Sequence, residues 1–348
     1  MRIKGIESRS DPRLEKLVAW LAAQRPGEFV ELVPASADAS FRRYFRLTRG
    51  DGSTAMAMDA PPPAEDVRPF LRVNALLRSA GVHAPEVYAS HVEAGFLLLE
   101  DLGHQTYLEA FARLAPSEID AAMRAAIETL LRLQQIALEA LPADFPRYDA
   151  ALLERELALF PEWYVGRHRG LEWSAAERER FTAVARQLVA FALAQPRVFV
   201  HRDFMPRNLI YRPGSVPGVL DHQDAVIGPV SYDIASLVRD AFHSWAEEQV
   251  IDWVARYWDG ARRARLPVPE DFAQFYREVE WMGLQRHLKV LGIFARIYYR
   301  DGKPKYLADT PRFIGYVRAV ALRYRDFAPL LALVDRLEGI AHEHGATF

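Results

Sequence analysis

The sequence predicts an α+β chain in two parts, a small β-rich lobe over residues 1–101 and a large helical lobe over residues 102–348. Three observations lead there. Short β-branched or aromatic runs separated by turn residues fill the first hundred positions, with one helical stretch among them. After Asp101-Leu102-Gly103 the composition shifts to long Ala-, Leu-, Arg- and Glu-rich stretches of helical period. A group of short apolar runs over residues 198–225 then interrupts those helices. Strands followed by helices, without strict alternation, are the mark of an α+β architecture.

The elements follow in order. Residues 12–25 read as a helix: Asp11 caps it, Pro12 suits its first turn, and Leu14, Leu17, Val18 and Leu21 keep a helical period. Residues 29–33 read as a strand, 35–43 as a small and polar loop, and 44–48 and 54–58 as strands around the Gly50-Asp51-Gly52 turn. Pro61-Pro62-Pro63 is a rigid break. Residues 67–79 read as a helix with Phe70, Leu71, Ala75 and Leu76 on one face, and 86–91 and 96–100 as two more strands. In the second part, helices are expected over 117–141, 150–166, 175–194, 231–242, 246–263, 270–299, 310–324 and 327–344.

Composition narrows the function. Half of the 348 residues are apolar, enough to bury the cores of two lobes. Lys and Arg number 44 against 46 Asp and Glu, a formal net charge of −2, so no basic excess points to nucleic acid. Cysteine is absent, which removes disulfides, thiolate metal sites and a cysteine nucleophile. No apolar run is long enough to span a bilayer and the opening residues lack a leader pattern, so a cytoplasmic protein, taken to be a monomer, is expected.

The chemistry concentrates in VFVHRDFMPRNLIYRPGSVPGVLDHQDA, residues 198–225. Apolar strands end at polar loops, which puts three oxygen-bearing side chains, Asp203, Asn208 and Asp221, at strand ends. Asn208 and Asp221 flank one hairpin. Such a set suits a hard cation that takes oxygen ligands, with one carboxylate left to orient a nucleophile.

The order H-x-D, Asn five residues past the Asp, and a further Asp after a hairpin resembles the catalytic core of the kinase superfamily. The wording resembles its aminoglycoside phosphotransferase and choline kinase branch. Within that branch it is similar to the anomeric sugar kinases that phosphorylate N-acetylmuramate and N-acetylglucosamine at C1 in bacterial cell-wall recycling. ASFRRYFR, MDAPP, HRDFMPRNL, DHQDA followed by GPVSYD, and LQRHLKVLGIFAR carry this likeness, which runs from about residue 39 to 325.

The resemblance implies a bilobal, protein-kinase-like fold with ATP and Mg²⁺ as cofactors and an amino sugar as acceptor. It also implies a downstream nucleotidyltransferase that makes a UDP-sugar. Asp203 would orient the acceptor hydroxyl and take its proton, and Asn208 and Asp221 would hold the metal. Arg202 either offsets charge at the site or is a surface arginine. His201 and Asp233 are expected to support the loop structurally. Gln223 and His222 stand where protein kinases carry glycine and phenylalanine, which argues against a switchable activation segment.

On the nucleotide side, residues 97–103 match the hinge that pairs with adenine, with Glu100 and Leu102 as contacts; the other reading is a buried strand ending in a turn. Neither a P-loop nor G-x-G-x-x-G occurs. Ser40, Arg42 and Arg43 occupy the place of the phosphate-covering loop, and strand alternation lets one of the two arginines at most face the nucleotide. The lysine usual on the third strand is missing from Thr54-Ala55-Met56-Ala57-Met58-Asp59. Either a loop arginine replaces it, or the protein is a catalytically inactive, kinase-like binding protein. On the acceptor side, Gln285 and Lys289 share a helix face with Arg286 one position round. That face either meets the sugar or is half-exposed with solvated charges. Its cations weigh against an aminoglycoside acceptor; choline, homoserine or another small alcohol is the remaining rival.

Overall fold

The computed structural model describes residues 2–4, 11–37 and 41–340. The chain divides into two compact units, Met1–Arg113 with Arg207–Asp224, and Leu114–Pro206 with Ala225–Phe348. The elements in chain order are β1 (Arg2–Ile3), α1 (Pro12–Gln24), β2 (Phe29–Ala37), β3 (Arg43–Arg49), β4 (Thr54–Asp59), α2 (Arg68–Ser79), β5 (Val87–His91), β6 (Phe96–Glu100) and α3 (Tyr107–Phe111). Then come α4 (Pro116–Gln134), α5 (Ala150–Leu159), α6 (Ala175–Ala194), β7 (Arg197–Val200), the hairpin β8 (Leu209–Ile210) and β9 (Gly218–Val219), and β10 (Val226–Pro229). Helices α7 (Tyr232–Val238), α8 (Glu247–Arg263), α9 (Phe272–Asp301), α10 (Thr310–Arg323) and α11 (Ala328–Glu338) complete the described chain.

The first unit is a six-stranded sheet in the order β1-β2-β3-β4-β6-β5, antiparallel except for β1 on β2. Alternation along the strands builds two layers on it. Phe45, Leu47, Ala55, Ala57, Phe96 and Leu98 point to one face, where Leu14, Leu17 and Leu21 of α1 cover them. Met58, Leu97 and Leu99 point to the other face with Tyr44 and Met56, against Val67 and Phe70 at the start of α2. The unbroken apolar run of β6 is thus explained: both of its faces are covered.

The expected boundary at 101/102 differs from what is seen. The first unit continues to Arg113 and takes in the hairpin of residues 207–224. Backbone bonds inside the unit account for this: Tyr211 N–H donates to Gln105 O at 2.8 Å, Val219 N–H to His83 O at 2.8 Å, and Thr106 bridges Ile210.

The second unit is helical around one two-stranded sheet, β7 antiparallel to β10. Several helices are shorter than their periodicity implies, each for a local reason. Helix α4 stops at Gln134 rather than 141, where the buried Gln134 amide donates to Val230 O at 3.1 Å and a 3₁₀ turn follows at Leu138–Ala140. Helix α5 ends at Leu159, and a wide π turn over Phe160–His168 replaces the expected continuation, because Pro161 has no N–H for the α ladder. Helix α7 ends at Val238, and the buried Asp240 carboxylate accepts from the N–H groups of Phe242 and His243 beyond it. The polar loop expected over 35–43 is shorter, since β2 runs on to Ala37 and pairs Arg43. Ser40 and the terminal His342-Glu343-His344 lie outside the described residues. Among the described residues no helix is long and apolar enough to cross a membrane.

Candidate active site

In the first unit, a cavity of about 300 Å³ is walled by the end of β6, the segment after it and the β8–β9 hairpin. Glu100, Asp101, Leu102 and Gly103 line it, as do Asn208 and Asp221. The segment after β6 is held rigidly. Glu100 accepts from Glu86 N–H at 3.1 Å and contacts His83 at 3.1 Å. Asp101 is clamped by Arg46, whose Nε donates to it at 2.6 Å, and its carboxyl is held low despite burial, which opposes the charge.

Asn208 and Asp221 come together across the base of the hairpin, tied by Leu220 N–H to Asn208 O at 2.9 Å, with their side chains 3.4 Å apart. Asp221 sits at φ +59°, a left-handed conformation that Asp tolerates better than most residues. Gln223 donates to Asp221 at 2.8 Å, so the residue standing in the glycine position steadies the carboxylate. His222 is fully buried and packs on the Phe70 ring at 4.5 Å, filling the place of an aromatic. An amide and a carboxylate side by side are hard oxygen donors and fit Mg²⁺, which takes few protein ligands. Among the described residues no cluster of three or more acidic or histidine side chains competes with them for a metal.

In the second unit, β7 delivers His201-Arg202-Asp203. The buried Asp233 carboxylate, on the first turn of α7, accepts from His201 N–H at 2.7 Å and Arg202 N–H at 3.0 Å. Burial pushes the Asp233 carboxyl up to about 7, against those two N–H groups and Arg286, which pull it down. The tie to Asp233 is therefore made by main-chain donors, while the His201 ring accepts from Asp203 N–H at 3.3 Å. Arg202 is at φ +74°, so two of the three left-handed non-glycine residues among those described, Arg202 and Asp221, belong to this machinery.

Below the loop lies a buried charge cluster. Glu156 of α5 is bound by Arg202 at 2.8 Å, Lys289 at 2.9 Å and Gln285 at 3.1 Å, and accepts from the Tyr148 hydroxyl. Burial alone would raise its carboxyl; Lys289, Arg202 and the Tyr148 O–H overcome that and hold it down at about 2. Lys289 also donates to the Tyr232 hydroxyl at 3.2 Å, and the Arg286 guanidinium lies over the Tyr232 ring at 5.2 Å. Gln285 is fully buried and Arg286 is 6% exposed, so this helix face is not a solvated one. Asp203 acts electrostatically on Arg202, Arg286 and Lys289 alike and favours their charged forms. Arg202 is accordingly an integral part of the cluster rather than a surface arginine.

Arg42 and Arg43 have different partners. Arg43 points with Phe45 toward α1 and binds Asp59 and Asp11. Arg42, just before β3, binds Glu65 at 3.0 Å. Tyr164, Trp253 and Tyr257 are buried core. Reading the sequence missed Glu156, Tyr148, Tyr232 and Glu65. Glu156 carried a signal: it shares a helix face with Leu153, Leu157 and Phe160, and an acid on an apolar stripe needs buried partners. Tyr148, Tyr232 and Glu65 carried none.

With the geometry in place, comparison with known proteins fixes the lineage. Proteins named N-acetylmuramate/N-acetylglucosamine kinase from Pseudomonas putida and Neisseria meningitidis are each 48% identical to this chain, covering 94% and 96% of it and 97% and 98% of their own lengths. One of the same name from Caulobacter vibrioides is 33% identical over 88% of this chain and 92% of its own. Among solved structures, a choline kinase from Cryptosporidium parvum (TM-score 0.63, 13% identity, 92% of this chain and 99% of that one) shares the fold. So does the ADP-bound aminoglycoside phosphotransferase APH(2'')-Ib (TM-score 0.59, 15% identity, 86% and 97%). Residues 31–275 match the phosphotransferase enzyme family. An α+β, kinase-like chain with its H-x-D loop anchored on a buried acid and an Asn–Asp pair on a hairpin belongs to the phosphotransferase enzyme family.

Proposed function

We propose that the protein is an ATP- and Mg²⁺-dependent kinase that phosphorylates the anomeric hydroxyl of N-acetylmuramate and N-acetylglucosamine. One observation carries the reading: relatives of that name are 48% identical over nearly the whole of both chains. The geometry agrees with it. Glu100 and Leu102 would meet the adenine, and Asn208 and Asp221 would hold Mg²⁺. The metal's contribution, when bound, is to neutralise charge on the transferring phosphoryl group. Asp203 would orient the sugar hydroxyl and take its proton late in the reaction, a task that depends mainly on positioning.

The acceptor would be recognised by the cluster around Glu156. Arg202, Arg286 and Lys289 supply three cations against the carboxylates of Glu156 and Asp203, with Asp233 raised toward neutrality. The surplus positive charge suits the carboxylate of N-acetylmuramate and disfavours a polycationic aminoglycoside or choline. The intact Asp203, Asn208 and Asp221 weigh against an inactive binding protein. The same reading places the protein in the cytoplasm, as a monomer, ahead of a nucleotidyltransferase that consumes the sugar 1-phosphate.

The test is to incubate the purified protein with Mg-ATP and N-acetylmuramate. An acid-labile sugar 1-phosphate is expected, whereas an acid-stable 6-phosphate or no product would sink the proposal. Asp203→Asn should lower turnover by about 10²–10⁴-fold with nucleotide affinity retained.

A further inference from the structure

Strand β4 leaves an open question about nucleotide binding. Met56 lines the cavity and Met58 on the same face is buried core, so β4 offers no cation to a phosphate. Its opposite face carries Asp59, which is occupied by Arg13 and Arg43 on the α1 side. A nucleotide with two or three anionic phosphates still needs a positive partner.

Two arginines lie near the cavity: Arg46 of β3 lines it, and Arg42, just before the strand, feels the charges of the cavity residues Tyr44 and Asp221. They are committed differently. Arg46 stands opposite Met56 and is forked onto Asp101, with a further bond to Gly103 O at 3.2 Å. It braces the segment that faces the base. Arg42 lies four residues back along the chain, roughly 13 Å at strand spacing. Its Nε donates to Glu65 at 3.0 Å, and Glu65 also accepts from Phe41 N–H at 3.2 Å, so the carboxylate grips both backbone and side chain of this corner. Arg42 and Glu65 are both shielded, with side chains 16% and 14% exposed.

We propose that Arg42, held by Glu65, replaces the absent strand lysine as the cation that binds the nucleotide's phosphates, while Arg43 serves only the packing of α1. The proposal rests on the kinase reading and names the residue through which that reading is carried out. The field around Arg42 fits it. Burial opposes the guanidinium's charge, yet Tyr44, Glu65 and Asp221 together raise its basicity. Asp221 is the carboxylate assigned to the metal, and phosphate oxygens bridge a metal and a cation in phosphoryl-transfer sites. An arginine–glutamate pair thus does the work of a lysine–glutamate pair, with the guanidinium fork suited to two phosphate oxygens at once.

Calorimetric titration of the full-length protein with Mg-ADP and, separately, with adenosine tests this. Arg42→Ala should weaken Mg-ADP by about 10- to 100-fold, the loss of one charged hydrogen-bonding partner, and leave adenosine binding unchanged. Arg42→Lys should recover part of the loss. Arg43→Ala should bind Mg-ADP as the parent does and unfold at lower temperature. Mg-ADP affinity of Arg42→Ala within twofold of the parent would overturn the assignment while leaving the kinase reading standing. Equal losses for adenosine and Mg-ADP would also overturn it, because the arginine would then only shape the unit. A parent protein that binds neither ligand would bring down the kinase reading as well.

Discussion

Glu156 shows how much one buried carboxylate can organise. It holds Arg202, next to the proposed base, and Lys289, far along the chain on α9, in a single network. Removing one partner from a buried ion pair leaves the others uncompensated, which costs about 3–5 kcal/mol. Glu156→Gln is therefore expected to lose roughly that much stability near neutral pH, measured by denaturant unfolding. The pH dependence has a definite sign. The folded carboxyl lies at about 2, below its ordinary 4.5, so its contribution is complete above about 4.5 and disappears as pH falls through about 2. The gap between parent and Glu156→Gln should close over that window; a gap constant from pH 7 to pH 2 would show that the pair is not ionic. The motif residues were legible in the sequence because loops that end strands expose their chemistry in order. Glu156 was barely legible, because its partners come from distant positions that only the fold brings together.

At the scale of elements, α9 is the scaffold of the proposed acceptor site. It carries Gln285, Arg286 and Lys289, and it approaches the end of α5 through Gly292. A Cβ there would fall 2.4 Å from the Leu159 carbonyl carbon, a backbone atom that cannot swing aside. Gly292→Ala should therefore cost about 1–3 kcal/mol. Gly315→Ala, on α10 where nothing lies within 4 Å, should be neutral or stabilising by up to about 1 kcal/mol. Urea unfolding of the two variants side by side checks this; equal effects would refute the close approach. Strand and helix positions were legible where the period was long. Helix ends were not, since α4, α5 and α7 stop at tertiary anchors and a proline rather than at capping signals. Strand β10 was missed, because Val226–Pro229 contains Gly228 and Pro229 and its partners, β7 and Arg147, are distant in sequence.

At the scale of the whole molecule, the proposed function assigns the nucleotide to the first unit and the sugar to the second. Hydrogen exchange with Mg-ADP should protect residues 1–113 and, with them, 207–224, because both stretches belong to one compact unit. N-acetylmuramate should protect the stretches around Glu156, Asp203 and Lys289 instead. Protection by Mg-ADP that skips 207–224 would contradict the assignment of Asn208 and Asp221 to the nucleotide's metal. The two-part architecture was legible from the change of composition after Asp101. The return of the hairpin was not, since its ties are backbone bonds that leave no trace in side-chain type.

That return has a practical corollary. The chain passes from one unit to the other after Arg113, Pro206 and Asp224, so neither unit is a continuous stretch of gene. A fragment cut after the sheet would discard both proposed magnesium ligands, and a fragment starting there would carry them without their cavity. Swapping whole segments between relatives to change the acceptor would have to spare an internal insert of 18 residues, Arg207–Asp224, or exchange the proposed magnesium ligands along with the sugar site.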